Sequence, residues 1–172
     1  KGIKGMGEEA SRTIIQEREK NGPYKSFMDF LTRAAVKSVN GKRPINNKAI
    51  EVLIKTGAFD HCGAPQAEGE PDLRKNRATL FNNMENAVKY AENMMESEAQ
   101  GQADLFGETE EKTFVDFVFE ETDDLPTMEK LNQEKEFIGC YVSGHPLDDY
   151  EKVIKNSITL TSKTLDRAAK EV

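Results

Sequence analysis

Two short strings in this sequence carry residue types with a chemical use. In Ile3-Lys4-Gly5-Met6-Gly7, two glycines bracket one apolar residue just ahead of an amphipathic run. Glycines so placed let a backbone take positive φ and approach a ligand closely. The free amides at the start of the following helix point outward, beside the positive end of its dipole. An anion can sit there without a dedicated side chain, and Lys4 and Arg12 add charge for neighbouring phosphates. Contacts of this kind touch phosphate and leave the bases unread, so the expected ligand is duplex DNA bound without regard to sequence. A helix-start turn that binds nothing has the same local pattern, and the string alone leaves both readings open. Lys55-Thr56-Gly57-Ala58-Phe59 offers a second, degenerate copy, in which Gly57 stands without a paired glycine.

The second string is Gln102-Ala103-Asp104-Leu105-Phe106. Leu105 and Phe106 are the only large apolar side chains between Met95 and Phe114, and they sit in an acidic, unpatterned tract. Adjacent apolar anchors in such a tract suit a partner's pocket, and the Gln102 amide both donates and accepts hydrogen bonds. The alternative is that the pair folds back onto a neighbouring helix. His61, Cys62, Cys140 and His145 are capable of binding metal, but no pair has zinc-ligand spacing; a polar turn and a buried cysteine account for them. Carboxylates are plentiful, yet they crowd into a presumed linker, a poor floor for two-metal chemistry. No catalytic residue and no metal or cofactor site is assigned.

The elements that must position these strings are helical. Ala10, Ile14 and Ile15 give an apolar face to a helix over about Glu8 to Lys20, which Asn21-Gly22-Pro23 stops. Ser26 and Asp29 form a capping box for a helix burying Phe27, Phe30, Leu31 and Ala34. A third helix starts near Asn46 or Asn47, buries Ile50, Leu53 and Ile54, and ends at Gly57. Residues 63–72 read as a surface loop. A long helix is expected from Leu73 to Ala99, with Leu73, Leu80, Phe81, Met84, Val88, Ala91 and Met95 as its stripe. Phe114 to Phe119 has the composition of a short strand. One more helix fits Leu125 to Phe137, with Met128 and Leu131 on one side, and mixed structure follows.

Charge divides the 172 residues unevenly. Residues 1–62 carry a net +5 and residues 63–172 a net −12, within a total of −7. The asymmetry suggests a basic working face and a separate acidic region. Segment 96–129 holds 12 acidic residues against Lys112 alone, which predicts an exposed linker. No apolar run approaches the roughly 20 residues of a membrane span, and nothing resembles a secretory signal. The two cysteines suggest no disulfide framework, so a reducing cytoplasm is the default location. The sequence opens inside what reads as a motif, as expected of a piece of a longer protein.

Further strings extend the pattern: Gly22 to Phe30, Leu53 to Asp60, Asn76 to Leu80, and Glu134 to Leu147. Together with Ile3 to Gly7 and Gln102 to Phe106, and in the same order over about residues 1–150, they resemble the bacterial DNA polymerase III alpha subunit family, the C-family replicative polymerases. The resemblance implies a helix-hairpin-helix unit that grips DNA through Lys4, Gly5, Met6, Gly7, Arg12 and Gly57. It implies that Gln102, Ala103, Asp104, Leu105 and Phe106 bind the sliding clamp, the beta subunit. It also implies a catalytic palm upstream using magnesium, an OB-like domain downstream, and other replicase subunits as partners. The 63–72 loop is longer than that family's usual link. The expected architecture is mainly α: a helix-hairpin-helix unit over 1–62, a long helix over 73–100, an acidic clamp-binding linker over 101–123, and a helix with a small mixed part over 124–172. The expected role is non-catalytic. An autonomous DNA-repair scaffold and a metal-dependent nuclease are the competing classes, separable by palm-type aspartates upstream and by tight divalent-metal binding respectively.

Overall fold

A computed structural model describes residues 2–36, 43–65, 72–99 and 117–157. The described residues form helices and irregular segments, with no strand. Helix α1 spans Glu8–Asn21, with Glu8 and Glu9 in its first turn and Arg18 and Lys20 in its last, both matched to the helix dipole. Gly22, at φ 81°, ends it. Helix α2 begins at Phe27 behind Ser26, whose hydroxyl accepts the Asp29 amide at 3.1 Å. The reciprocal bond of a capping box is displaced by one residue, because the Asp29 carboxylate takes the Lys25 amide at 2.8 Å. After Phe30 the same helix widens into a π turn, Leu31–Ala35, closed by Val36 N–H on the Leu31 carbonyl at 2.9 Å. Helix α3, Asn47–Lys55, starts behind Asn46, whose side chain accepts the Ala49 amide. Ile50, Leu53 and Ile54 are buried, as the sequence pattern expects.

Helix α4 covers Arg77–Ala99, four residues later at its start than the pattern suggested. Asn76 sets that start by accepting the Thr79 amide at 2.8 Å, a typical N-cap bond. Leu73, ahead of the helix, and Phe81, on its outer face, are largely exposed, so neither belongs to the inner stripe. That stripe is Leu80, Met84, Ala87, Val88 and Ala91. It packs against the π turn, where Ala34 and Ala35 are also fully buried and small side chains permit a close approach.

Phe117 to Thr122 forms no helix, and among the described residues it pairs with no strand. Side chains of α4 and its cap supply its partners. Asn83 donates to the Glu120 carbonyl at 2.9 Å and accepts the Glu120 amide at 3.0 Å. The Thr79 hydroxyl accepts the Thr122 amide at 3.0 Å, and Asn76 donates to the Thr122 carbonyl at 2.8 Å. The expected exposed linker is therefore pinned over this stretch; Phe114 to Asp116, the rest of the expected strand, lie outside the described residues. Edge contacts join Phe117 to Phe119, Phe27 to Phe59, and Phe30 to both Phe59 and Tyr24. Tyr90 on α4 meets Phe117 at 5.5 Å.

Helix α5 is Thr127–Phe137, starting two residues late because Pro126 occupies the cap position. Leu131 is fully buried and Met128 is exposed. A 3-10 turn, Asp148–Tyr150, leads into helix α6, Glu151–Ser157, which the sequence pattern did not mark. Among the described residues no helix is long and apolar enough to cross a membrane.

One ion cluster joins α3, α4 and α5. The Arg77 side chain is 4% exposed and that of Glu134 is 0% exposed. Arg77 donates to Asp60 Oδ2 at 2.6 Å, to Glu134 Oε1 at 2.8 Å and to the Lys55 carbonyl at 3.2 Å. The other oxygen of Glu134 accepts the amides of Val142 at 2.7 Å and Ser143 at 3.0 Å. Burial disfavours the Glu134 charge, but Ser143, the Val142 amide and Arg77 outweigh it and hold the pKa at about 2.

Two measurements test these anchors. Replacing Asn83 by alanine leaves the Glu120 amide and carbonyl without their partner and should cost about 2 kcal/mol in urea unfolding. For Glu134 the folded pKa is depressed, so its contribution is full above the ordinary glutamate value and is lost as the carboxylate protonates. Glu134→Gln should be less stable than the parent by about 3 kcal/mol at neutral pH. That difference should vanish as pH falls from about 4.5 to 2.

Candidate nucleic-acid interface

The Ile3 to Met6 segment is a tight turn: Met6 N–H donates to the Ile3 carbonyl at 3.1 Å, and Gly5 stands at φ 90°. That φ is the one a type II turn demands of its third residue, and glycine meets it without strain. Ile3 and Met6 pack their side chains against the core, which anchors the turn from beneath. Lys4 is exposed, and its amide donates to the Phe137 carbonyl at the end of α5, at 2.8 Å.

Gly7 differs from expectation. Its φ of −73° and ψ of 151° are ordinary extended values, and it serves as the N-cap of α1. Only Gly5 needs the left-handed region. What Gly7 contributes is absence of bulk: a Cβ built there meets nothing within 4 Å. The cap has no side-chain acceptor, and the first helical bond is Ser11 N–H on the Gly7 carbonyl. The amides ahead of Ser11 therefore face outward at the positive end of the helix.

The charges around this mouth are mixed. Arg12 is held by Glu8 at 2.7 Å, with side chains 71% and 80% exposed. A pair so open to water is weak. Glu8 and Glu9 offset part of the positive field, and Lys4 adds to it.

Gly57 has a different use. At φ 76° it terminates α3, and its amide donates to the Ile54 carbonyl at 3.0 Å. A Cβ there would lie 2.2 Å from Arg77 Nη2 and 2.7 Å from Asp60 Oδ2. The second glycine turn is thus floored by the buried ion cluster; its amide is already engaged and its inner face is covered. Lys55, just before it, pairs with Glu51 and lies over the Phe81 ring at 5.1 Å.

Gln102, Ala103, Asp104, Leu105 and Phe106 lie outside the described residues. Cys140 is exposed, not buried, whereas Cys62 is half-buried with its thiol on the Tyr24 carbonyl; burial pushes that thiol up to about 11. His145 accepts the Leu147 amide within its own turn. Among the described residues no three His, Cys, Asp or Glu side chains are grouped to hold a metal ion. The sequence reading missed Arg77 and Glu134. A signal existed: Glu134 follows Leu131 by three residues, on the buried face of α5, where a carboxylate requires a partner.

Residues 1–69 match the family model of the helix-hairpin-helix motif. The DNA polymerase III subunit alpha of Treponema pallidum is 35% identical over 170 residues, which is 99% of this chain and 13% of that protein. The same subunit of Borreliella burgdorferi is 38% identical over 172 residues, again 99% and 13%. That of Escherichia coli strain K12 is 32% identical over 157 residues, 91% of this chain and 12% of that protein. The match is nearly continuous from the glycine turn to the helices beyond the acidic tract, so the chain belongs to the DNA polymerase III alpha family, spanning 13% of the length of its Treponema and Borreliella relatives.

Proposed function

We propose that this chain is a non-catalytic module of a replicative DNA polymerase that grips the backbone of duplex DNA and tethers the polymerase to the sliding clamp. The observation that carries the DNA reading is the Gly5 turn leading into the uncapped start of α1, within residues that match the helix-hairpin-helix model. Phosphate would sit on the outward amides of α1, with Lys4 and Arg12 beside it. Gly7 supports this because the space in front of it is open, and only a ligand would notice a side chain there. The clamp reading rests on the composition of Gln102 to Phe106, with Leu105 and Phe106 as anchors and Gln102 as the hydrogen-bonding group. Catalysis, its magnesium and the other replicase subunits would belong to the remaining length of the polymerase.

Binding of duplex should be indifferent to sequence and salt-sensitive, with a log–log slope of about two to four released counterions. Gly7→Val should weaken it severalfold in a fluorescence-anisotropy titration while costing the fold only the ~1 kcal/mol of a poorer N-cap. Unaltered affinity in a folded Gly7→Val chain would remove the turn from the interface. Calorimetric titration with the clamp should give affinity near the micromolar range, about −8 kcal/mol. Leu105→Ala with Phe106→Ala should abolish that binding and spare helix content and DNA affinity; Gln102→Ala should do less. Clamp binding that survives the double variant sinks the tether.

A further inference from the structure

We infer that Glu134 is a positioning residue for the Gly5 turn, so that phosphate binding at the front of α1 is governed by a carboxylate on α5. This rests on the DNA reading above and concerns how that site is held. Lys4 occupies the second position of the turn, and its amide ends on the Phe137 carbonyl at 2.8 Å. Phe137 closes α5, where the last carbonyls have no partner within the helix. Gly139, at φ 92°, turns the chain away there, with its own amide on the Glu134 and Lys135 carbonyls. The Phe137 carbonyl is thereby left for the first turn of the chain. The place of that carbonyl is set by what holds α5, and Glu134 holds it on both sides. Oε1 takes Arg77 at 2.8 Å, tying α5 to α4 and, through Asp60 and the Lys55 carbonyl, to the end of α3. Oε2 takes the Val142 and Ser143 amides and folds the outgoing loop back on the helix. Val52 of α3 is the nearest atom to a Cβ built on Gly5, at 3.4 Å, so the turn rests on the same assembly. Glu134 itself contacts none of residues 3–7 in these bonds; it acts through Phe137.

A glutamine has the size of Glu134 and one acceptor oxygen instead of two. In Glu134→Gln, either Arg77 or the two loop amides must face an amide NH2 group. The decisive readout is local: NMR amide exchange at Lys4, measured on the full 172-residue chain and compared with Ile54 and Leu31 in the interior. In Glu134→Gln the Lys4 amide should lose about tenfold more protection than those interior amides, and duplex affinity should fall by about the same factor. Should the glutamine variant fail to fold, Lys4→Pro decides. Proline suits the second position of a type II turn and deletes only the amide that reaches Phe137; Lys4→Ala controls for the charge. Lys4→Pro should bind duplex more weakly than Lys4→Ala. Where both variants fold, adding Glu134→Gln to Lys4→Pro should change affinity less than about twofold, since the link it acts through is already cut. Equal loss of protection at Lys4 and in the interior, or Lys4→Pro binding duplex as well as Lys4→Ala, overturns the assignment. A parent chain that binds no duplex instead defeats the DNA reading, and the exchange comparison still judges Glu134.

Discussion

A guanidinium with almost no exposed surface must be surrounded by acceptors, and Arg77 meets that requirement with three separate segments of chain. Asp60 comes from the turn after α3, Lys55 lends its carbonyl from the end of α3, and Glu134 comes from α5. Taking such charges out of water costs several kcal/mol per ion and is offset only when the geometry is good. The positions of these segments are therefore not independent. Gly57 has to lack a side chain because Arg77 crosses above it, and the loop at Val142 and Ser143 has to fold back because Glu134 would otherwise keep an unsatisfied oxygen. The hydrophobic cluster supplies bulk adhesion, but it is non-directional; the ion cluster fixes how α5 sits on α3 and α4.

The first glycine turn inherits that arrangement. Gly5 lies on Val52 of α3, and Lys4 ends on α5. Its side chains face inward at Ile3 and Met6, while its free donors face outward. Rigid support below and open amides above suit contact with a repetitive anionic backbone, which needs position and not discrimination. The two glycine turns of this chain differ in their surroundings: a side chain at Gly7 would meet open space, whereas one at Gly57 would meet Arg77 and Asp60.

The helices were largely legible from residue spacing because their signals are local. Ser26 and Asn46 announce their caps, Gly22 and Gly57 their stops, and Ile50, Leu53 and Ile54 their inward face. The glycine turn was legible for the same reason. What the spacing could not reveal depends on partners far apart in sequence. Leu73 looks like the first residue of a helical stripe until Asn76 takes the cap. Phe117 to Phe119 looks like a strand, but it forms none, and the residues just after it, Glu120 and Thr122, are held by the side chains of Asn83 and Thr79. A run of acidic residues suggests solvation, and charge counting has no means of showing that Glu120 presents its backbone, not its carboxylate, to α4. Glu134 was hidden in the same way, since a buried carboxylate makes sense only beside an arginine 57 positions away.

The segment held by Asn83 and Thr79 bears on how the protein behaves in a crowded solution. Phe117-Val118-Phe119 is a β-prone, apolar run of the type that seeds intermolecular cross-β stacking when left free. Docking turns its two aromatic rings toward Tyr90 and Phe27. The amides and carbonyls of Glu120 and Thr122 are engaged by polar side chains of a helix, and a helix cannot recruit a further strand beside it. Of the three, Val118 is the one that points outward, and Glu120 and Glu121 follow directly after Phe119. Like charges there repel a second copy. The segment is thus covered without building a sheet, and its shielding rests in part on two amide side chains and a hydroxyl.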